Sequence, residues 1–316
     1  MKAAVVEAPR RVALVDVPPP EPGPGEVLIA LEGCGICGSD AAVWEGRPWF
    51  EYPFDAGAPG HEGWGVVEAA GDGVAIAPGT RVAAISYRAH AEYDVAPAEA
   101  VVPVPAAVGD DPFPGEALGC AMNVFARSDV QPGHDVAVVG VGFLGALLTQ
   151  LAARAGARVV TVSRREFSLD VARAMGAEEA VPLGDVRATV EGAAALTDGK
   201  LFDRVIEAAG VQAALDVAGE LTRTRGRLVV AGYHQDGSRT VDMQLWNWRG
   251  IDVVNAHERE LATYVRGVRA AAAAIEDGTL DPSPLYTHRV PFDRLERAFT
   301  GAVERPNGFL KAVTVL

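Results

Sequence analysis

The sequence has few cysteines, no excess of positive charge and no long apolar run, and each shortage excludes a class of protein. Three cysteines in 316 residues cannot form a disulfide framework, so we expect a protein of a reducing compartment, the cytoplasm. The formal net charge of -14 argues against nucleic acid and anionic membranes as partners, because both require a positive face. No run of about 18 apolar residues occurs, and the N-terminus lacks the apolar core of a signal peptide. The expected partner is therefore a small molecule.

The order of patterns along the chain predicts two domains. Short β-rich runs separated by Gly, Pro and Asp turns fill the first hundred residues, which is typical of a small β-barrel. From about Leu118, apolar runs alternate with helical segments, a pattern that indicates a doubly wound parallel sheet. The C-terminal segment returns to the β pattern. We therefore predict an α/β fold with a dinucleotide-binding domain over 123–277, and a mostly β domain formed by both chain ends, 1–122 and 278–316.

One loop combines residue types that bind zinc. His61 and Glu62 stand side by side in APGHEGWGVVEAAG, Cys37 lies 24 residues upstream and Glu116 lies downstream. A catalytic zinc ion requires three ligands drawn from imidazole, thiolate and carboxylate, with a fourth position left open. The alternative is a surface loop with an incidental His-Glu pair, which short motifs produce often.

A glycine-rich turn predicts a dinucleotide site. Gly140, Gly142 and Gly145 enclose Phe143 and Leu144 in GVGFLG, after an apolar strand and before a helix. In this context the first glycine permits the tight turn, the second lets the backbone approach a pyrophosphate, and the third packs helix on strand. The helix N-terminus then faces the phosphates with free N-H groups. A purely structural glycine turn is the alternative.

The end of the next strand bears on which dinucleotide is bound. At this position an acidic residue binds the ribose hydroxyl of NAD, whereas a nearby arginine accommodates the phosphate of NADP. Here Ser163 stands at the acidic position and is followed by Arg164 and Arg165. A hydroxyl and two guanidiniums can hold a phosphate through charge-assisted hydrogen bonds, so NADP is favoured. If both arginines are only solvated surface charges, the cofactor is NAD.

Taken together, the segments resemble the zinc-dependent medium-chain dehydrogenase/reductase superfamily, which contains the alcohol and polyol dehydrogenases. The resemblance covers nearly the whole chain and rests on many segments in family order: MKAAVV, GEVLIALEGCGICGSD, GHEGWGVVEAAGDGV, PGTRVA, VGVGFLG, RAMGAEEAV and THRVPFDRLERAF. It implies a GroES-like catalytic domain beside a Rossmann domain, with the site in the cleft between them. It also implies one catalytic zinc ion per chain, a nicotinamide cofactor, and a homodimer or homotetramer.

The resemblance also assigns roles to residues near the metal. It implies that Cys37 and His61 are zinc ligands and that Glu62 is a carboxylate that approaches or ligates the metal. Ser39 is similar to the hydroxyl that receives the substrate proton. Asp40 is similar to the partner that fixes the tautomer of the ligand histidine.

The third ligand and the C-terminal lysine are further expectations from the resemblance. Glu116 is similar to the ligand glutamate of the polyol branch, and Cys120 is the alternative, as in the alcohol branch; we favour Glu116. Lys311 resembles the basic residue that reaches the cofactor pyrophosphate. Otherwise it is a solvated lysine on an edge strand.

Two departures from the family pattern change the expectations. The cysteines of a structural-zinc lobe are missing after GTRVAAIS, and Ala42 stands where a relay histidine is often found. Among the other histidines, His234 and His257 could border the nicotinamide side, although a solvated or hydrogen-bonded role is favoured.

The sequence thus predicts a zinc-dependent oxidoreductase that transfers a hydride between a nicotinamide cofactor and a secondary alcohol or polyol, or its ketone. Two alternatives remain: a zinc-free quinone or enone reductase of the same superfamily, and a non-catalytic protein that binds the cofactor.

Overall fold

The protein, described here by a computed structural model of residues 1–316, consists of two compact units. The first unit comprises Met1–Cys120 and Arg259–Leu316, and the second comprises Ala121–Glu258. None of the helices combines the length and the apolarity needed to cross a bilayer.

The regular elements follow the order expected from the sequence patterns. The strands are β1 (Lys2–Ala8), β2 (Arg11–Asp16), β3 (Glu26–Gly35), β4 (Gly63–Ala70), β5 (Arg81–Ala84), β6 (Tyr93–Pro97), β7 (Val101–Pro103), β8 (Asp135–Val139), β9 (Arg158–Ser163), β10 (Glu179–Pro182), β11 (Phe202–Glu207), β12 (Thr222–Val230), β13 (Asp252–Asn255), β14 (His288–Pro291) and β15 (Ala312–Val315). The helices are α1 (Gly38–Glu45), α2 (Gly115–Ser128), α3 (Phe143–Arg154), α4 (Glu166–Ala174), α5 (Val186–Ala195), α6 (Gln212–Leu221), α7 (Met243–Arg249), α8 (Leu261–Glu276) and α9 (Leu295–Glu304).

The first unit is built on the long strand β3. It pairs antiparallel with β4, β6 and β15 inside a mixed seven-stranded sheet, whose main order is β14-β15-β3-β4-β5-β7. Alternate residues Val27, Ile29 and Leu31 are buried, as expected for a strand with one face on a core. The strand ends at Gly35, immediately before the short loop that carries Cys37, which we call the cysteine loop. The packing of this sheet therefore sets where that loop begins.

The second unit is a six-stranded parallel sheet with the order β10-β9-β8-β11-β12-β13. Its inner strands are apolar and buried, since Val136–Val139 are all fully buried, and helices α3, α4 and α6 pack on them. Numbered within the unit, the order is 3-2-1-4-5-6, and the direction of winding reverses between β8 and β11. Ligands of such sheets bind at the carboxyl ends of the strands beside this switch point.

The first boundary between the units lies after Cys120, close to the expected residue 122, and the second lies farther from its expected position. The chain was expected to return to the first domain at residue 278, whereas the whole of Arg259–Leu316 belongs to the first unit. The reason is that α8 packs on β7 and on the 3-10 turns at Ala98–Ala100 and Ala106–Val108. An alanine-rich helix carries no pattern that tells which of two cores it will cover.

Candidate metal and cofactor sites

The cysteine loop is shaped by the start of α1. Cys37 is the N-cap residue of this helix, and the carboxylate of Asp40 accepts a hydrogen bond of 2.8 Å from the backbone N-H of Cys37. This is the reciprocal bond of a capping box, which fixes the first turn of a helix. Asp40 therefore holds the loop that carries the thiol, and it does so while almost fully buried.

The turn before β4 brings the next two donors to the thiol. One ligand atom each from Cys37, His61 and Glu62 lies within 4.8 Å of the other two. The Nδ1 atom of His61 lies 2.8 Å from the carbonyl oxygen of Pro59 and 3.6 Å from Asp40, so Nε2 is the ring nitrogen that can bind an ion. A thiolate, an imidazole and a carboxylate at this spacing are the donor set of a catalytic zinc site.

The same cluster shifts the acid-base behaviour of its members. Burial would lower the pKa of His61, but the charges of Asp40 and Cys37 outweigh burial, so the pKa of this imidazole lies well above its ordinary value. Burial raises the pKa of Asp40 to about 6, although His61 and the backbone of Cys37 oppose the shift. Without a metal ion, the site therefore favours an imidazolium beside the acidic groups.

Lys311, which the resemblance assigns to the cofactor pyrophosphate, contacts a residue of the metal group, and its role towards the cofactor stays a prediction. Its side chain is 4% exposed, and its ammonium donates to Glu62 Oε1 at 2.7 Å and to the carbonyl of Ile36 at 2.9 Å. The ammonium neutralises a carboxylate that is itself fully buried. Because the side chain of Lys311 is buried, the alternative of a solvated edge lysine is wrong.

The carboxylate that the structure groups with Cys37 and His61 is Glu62, whereas Glu116 lies outside the group. Glu116 accepts a hydrogen bond of 3.2 Å from the thiol of Cys120, one turn later on α2. Burial raises the pKa of Glu116, and the charge of His61 partly offsets this, so Glu116 still lies within electrostatic reach of the metal residues. Whether Glu116 or Cys120 ligates the metal therefore stays a prediction.

Glycine 35 explains why the cysteine loop can approach Glu62. A Cβ atom at Gly35 would lie only 1.9 Å from Glu62 Oε2, so the carboxylate occupies the space of the missing side chain. The motif GCGICG alone does not show that Gly35 must be a glycine, because it does not show that Glu62 fills the space beside it.

Two tyrosines near the metal residues were missed at the level of sequence. The ring centroid of Tyr87 lies 6.3 Å from that of His61, and 66% of the Tyr87 side chain is exposed. Burial raises the pKa of Tyr264, and the charges of Cys120 and Glu116 raise it further, so this hydroxyl lies near both side chains. Ser39 lies partly exposed in the first turn of α1. No motif marks the tyrosines, because they come from a loop and from α8.

The glycine loop connects β8 to α3 as the sequence predicts, and each glycine has its own constraint. Gly140 has a positive φ of 101°, and a Cβ there would lie 2.7 Å from the Cβ of Ala209. A Cβ at Gly145 would lie 2.0 Å from the carbonyl oxygen of Gly140, so helix and turn are in direct contact. At Gly142, the N-cap of α3, a Cβ would meet nothing within 4 Å, and this open side is where a phosphate can approach. Phe143 and Leu144 form the first turn of the helix.

The three residues after the second strand differ in exposure. Ser163 ends β9 and is buried, Arg164 is exposed and makes no ion pair, and Arg165 is the N-cap residue of α4. The carboxyl end of β9 thus carries no carboxylate, and it offers one uncommitted guanidinium.

Comparisons with known proteins agree with both halves of this description. The alcohol dehydrogenase GroES-like domain matches residues 23–106, and the zinc-binding dehydrogenase domain matches residues 144–271. An L-threonine 3-dehydrogenase of Anaeromyxobacter dehalogenans (strain 2CP-C) is 30% identical over 324 residues, 90% of each chain. Human sorbitol dehydrogenase is 27% identical, over 93% of this chain and 90% of that protein.

The fold is also shared with solved structures. A protein of Sinorhizobium meliloti 1021, assigned as a zinc-binding dehydrogenase and solved with NADP bound, has a TM-score of 0.85 and 26% sequence identity. The match covers 100% of this chain and 99% of the other. With two matching domains in order and full-length relatives, the chain belongs to the zinc-type medium-chain dehydrogenase/reductase superfamily of oxidoreductases.

Proposed function

We propose that the protein is a zinc-dependent dehydrogenase that interconverts a secondary alcohol or polyol with its ketone, using NADP in preference to NAD. The observation that carries the proposal is the convergence of a thiol, an imidazole and a carboxylate within 4.8 Å in the first unit. The glycine loop of the second unit supplies the nucleotide half of the reaction.

The residues present fit a zinc ion. Cys37, His61 and Glu62 would supply three ligands of the types that zinc prefers, as a catalytic site with one position open to the substrate oxygen requires. When bound, zinc acts as a Lewis acid that polarises this oxygen. Glu116, the third ligand that the resemblance favours, lies within electrostatic reach of His61 and Glu62.

The surrounding side chains orient the ligands and move the proton. Asp40 and the carbonyl of Pro59 keep the Nδ1 side of His61 turned away from the ion. Ser39 is the hydroxyl we assign to accept the proton of the substrate alcohol. Because Ala42 replaces a relay histidine, the proton then leaves through water. Hydride transfer itself is the chemistry of the nicotinamide ring, which the protein binds and orients.

The preference for NADP rests on the end of β9. Ser163, Arg164 and Arg165 are a hydroxyl and two guanidiniums of the types that bind a phosphate, Arg164 is exposed, and none of the three is a carboxylate. In the double variant Arg164→Ala/Arg165→Ala, we expect the ratio of kcat/KM for NADP to that for NAD to fall by on the order of tenfold or more. An unchanged ratio would contradict the assignment of NADP.

The metal and the reaction can be tested together. We expect one zinc ion per chain by mass spectrometry, and turnover of a polyol or ketone panel that chelation abolishes. Cys37→Ala should lose the metal and reduce kcat by on the order of 1,000-fold while NADPH still binds. Cys34→Ala is the matched control, because this buried thiol lies three residues earlier and outside the metal group. Full activity of metal-free protein would overturn the proposal, and reduction of an activated C=C bond by that protein would support the quinone or enone reductase alternative.

A further inference from the structure

A chain of polar side chains lies at the carboxyl edge of the sheet in the second unit. Glu207 is the last residue of β11 and is fully buried. Its Oε2 atom lies 2.9 Å from His234 Nε2, and Arg239 donates from Nε to His234 Nδ1 at 2.8 Å. The metal chemistry proposed above makes no use of these three residues.

The hydrogen bonds of this chain run in one direction only. Arginine can only donate, so His234 Nδ1 must accept, and the ring proton must lie on Nε2, from which it is donated to Glu207. The other oxygen of Glu207 accepts from the backbone N-H groups of Ala209 and Gly210, at 2.8 and 2.7 Å. The donors from Arg239 Nε, His234 Nε2 and the turn therefore all run towards Glu207, and the ring proton of His234 is held on Nε2.

The backbone held by this chain is the turn at residues 208–210, and that turn supports the glycine loop. A Cβ at Gly140 would lie 2.7 Å from the Cβ of Ala209 and 2.8 Å from its nitrogen, so the first glycine of the loop rests directly on the turn. A displacement of the turn must move Gly140 or open a gap behind it.

A second loop is fastened onto the same turn. Arg239 also donates to the carbonyl of Gly210 at 2.9 Å and contacts Asp236. Gln212, at the start of α6, exchanges hydrogen bonds of 2.7 and 3.0 Å with the backbone of Thr240. The loop after β12 and the turn after β11 are thus fixed to each other, at the edge where a dinucleotide binds.

We propose that Glu207, His234 and Arg239 are positioning residues for the nicotinamide dinucleotide: their one-way hydrogen-bond chain holds the turn at 208–210 against Gly140 and so fixes the geometry of the glycine loop. The inference rests on the proposed cofactor and extends it to three residues that no cofactor motif contains. None of them needs to touch the dinucleotide.

The direction in which the hydrogen bonds among Glu207, His234 and Arg239 run provides a specific test. In Glu207→Gln, the amide oxygen can still accept from the turn, but the NH2 group must then donate to His234 Nε2. The ring proton moves to Nδ1 and faces the N-H of Arg239, so two donors oppose each other. We expect the dissociation constants of NADPH and NADH, measured by fluorescence titration, to rise about tenfold, because a buried donor is left without an acceptor. Zinc content should not change.

A second substitution should restore the chain in the opposite direction. In Arg239→Gln, the amide oxygen stands at the same distance along the side chain as the arginine Nε and can accept from His234 Nδ1. The double variant Glu207→Gln/Arg239→Gln should therefore bind NADPH more tightly than Glu207→Gln alone. The nitrogen NMR shifts of His234 should show the ring proton on Nε2 in the natural protein and on Nδ1 in the double variant. If these side chains contributed only packing, the double variant would not bind NADPH more tightly than Glu207→Gln.

Asp203→Asn is the matched control at the other end of the same strand. Asp203 accepts a backbone hydrogen bond of 2.8 Å from Asp135 and is paired with Arg223 at 2.7 Å. We expect this variant to lose stability and to bind NADPH normally. Should Glu207→Gln not fold, Arg239→Met removes the chain from its outer end and should weaken NADPH binding in the same way.

Three outcomes would overturn the inference. They are normal NADPH binding in Glu207→Gln with the His234 tautomer changed, equal weakening in Asp203→Asn, and a double variant that binds no better than Glu207→Gln. Failure of the natural protein to bind either NADPH or NADH would overturn the proposed function first, and the inference with it.

Discussion

At the residue scale, the buried pair of Lys311 and Glu62 has a measurable energetic consequence. Glu62 is fully buried and Lys311 nearly so, and the ammonium is the positive group that compensates the carboxylate. Lys311→Met leaves a buried charge without its partner, so we expect the free energy of unfolding to fall by about 3–5 kcal/mol. The measurement is urea unfolding of chelator-treated protein.

The control for this prediction removes both charges. Lys311→Met/Glu62→Gln leaves no uncompensated ion, and replacement of a whole buried pair is often close to neutral. The double variant should therefore recover most of the lost stability. An equal loss in the single and double variants would show that packing of the lysine stem, and not its charge, stabilises the site.

His90 gives the protein a sensitivity to acid that can be assigned to one side chain. The imidazole is fully buried, neither ring nitrogen has a hydrogen-bond partner, and its ring meets Phe299 edge to face. Burial, assisted by the charge of His61, lowers the pKa of His90 from 6.5 to about 3. The unfolded chain therefore binds the proton more readily, and stability is complete above pH 6.5 and falls as the pH falls.

His90→Leu removes this proton linkage. Below pH 6 the natural protein should lose stability relative to the variant by about 1.4 kcal/mol per pH unit, down to about pH 3. At neutral pH the variant should be at least as stable as the natural protein, because it removes a buried N-H that has no acceptor. The check is denaturant unfolding at intervals from pH 7 to pH 4. Parallel stability curves for the two proteins would contradict the assignment.

Residue identity alone predicted part of the candidate site. Cys37, His61 and Glu62 could be proposed as a group because all three are zinc-binding residue types, with His61 and Glu62 adjacent and Cys37 24 residues upstream. The pairing of Lys311 with Glu62 joins residues 249 apart in sequence, and no local pattern encodes it. The preference for Glu116 as a ligand came from resemblance, and whether a carboxylate reaches the group depends on the position of α2.

At the element scale, the glycines between β8 and α3 have separate roles, some in folding and some in cofactor binding. Gly142 has a φ of -95°, which any residue adopts, and a Cβ there would meet nothing within 4 Å. Gly142→Ala should therefore change the free energy of unfolding by no more than about 0.5 kcal/mol. The added methyl group faces the space where the pyrophosphate approaches, so the dissociation constant of NADPH should rise about tenfold or more.

Gly145→Ala is the contrasting variant of the same turn. Its Cβ would lie 2.0 Å from the carbonyl oxygen of Gly140, so the start of α3 must shift. We expect a loss of about 2–3 kcal/mol in stability together with weaker NADPH binding. Thermal unfolding and fluorescence titration of both variants test the pair, and equal stability losses would show that the two glycines are not distinguished as described.

An element can be predicted from the sequence when the residues that determine it are adjacent in the chain. The strand, glycine turn and helix at 135–154 are specified by adjacent residues, and the structure has them where the pattern indicates. The assignment of α8 to the first unit depends on which core its apolar side covers, and its alanine-rich sequence fits either. The chain of Glu207, His234 and Arg239 joins two loops that meet only because β11 and β12 are neighbours in the sheet.

At the scale of the whole molecule, the two proposed ligands have their binding residues in different units. The metal residues Cys37, His61 and Glu62 all lie in Met1–Cys120, and the glycine loop with Ser163 lies in Ala121–Glu258. A ligand stabilises the structure that it binds by an amount that depends on its concentration and dissociation constant. Zinc and cofactor should therefore protect different parts of the chain.

Hydrogen exchange followed by mass spectrometry can test this division. Saturating NADPH should slow exchange mainly in peptides covering 135–165 and 204–212, because the glycine loop and the turn behind it become fixed. Removal of the metal by chelation should speed exchange in peptides covering 33–45 and 59–70, since Cys37 and His61 lose a common partner. At a hundredfold excess over the dissociation constant, either ligand contributes about 2.7 kcal/mol to the structure it binds, which is large enough to resolve. If chelation instead speeds exchange chiefly in peptides 135–165, the metal is bound elsewhere than at the group of Cys37, His61 and Glu62.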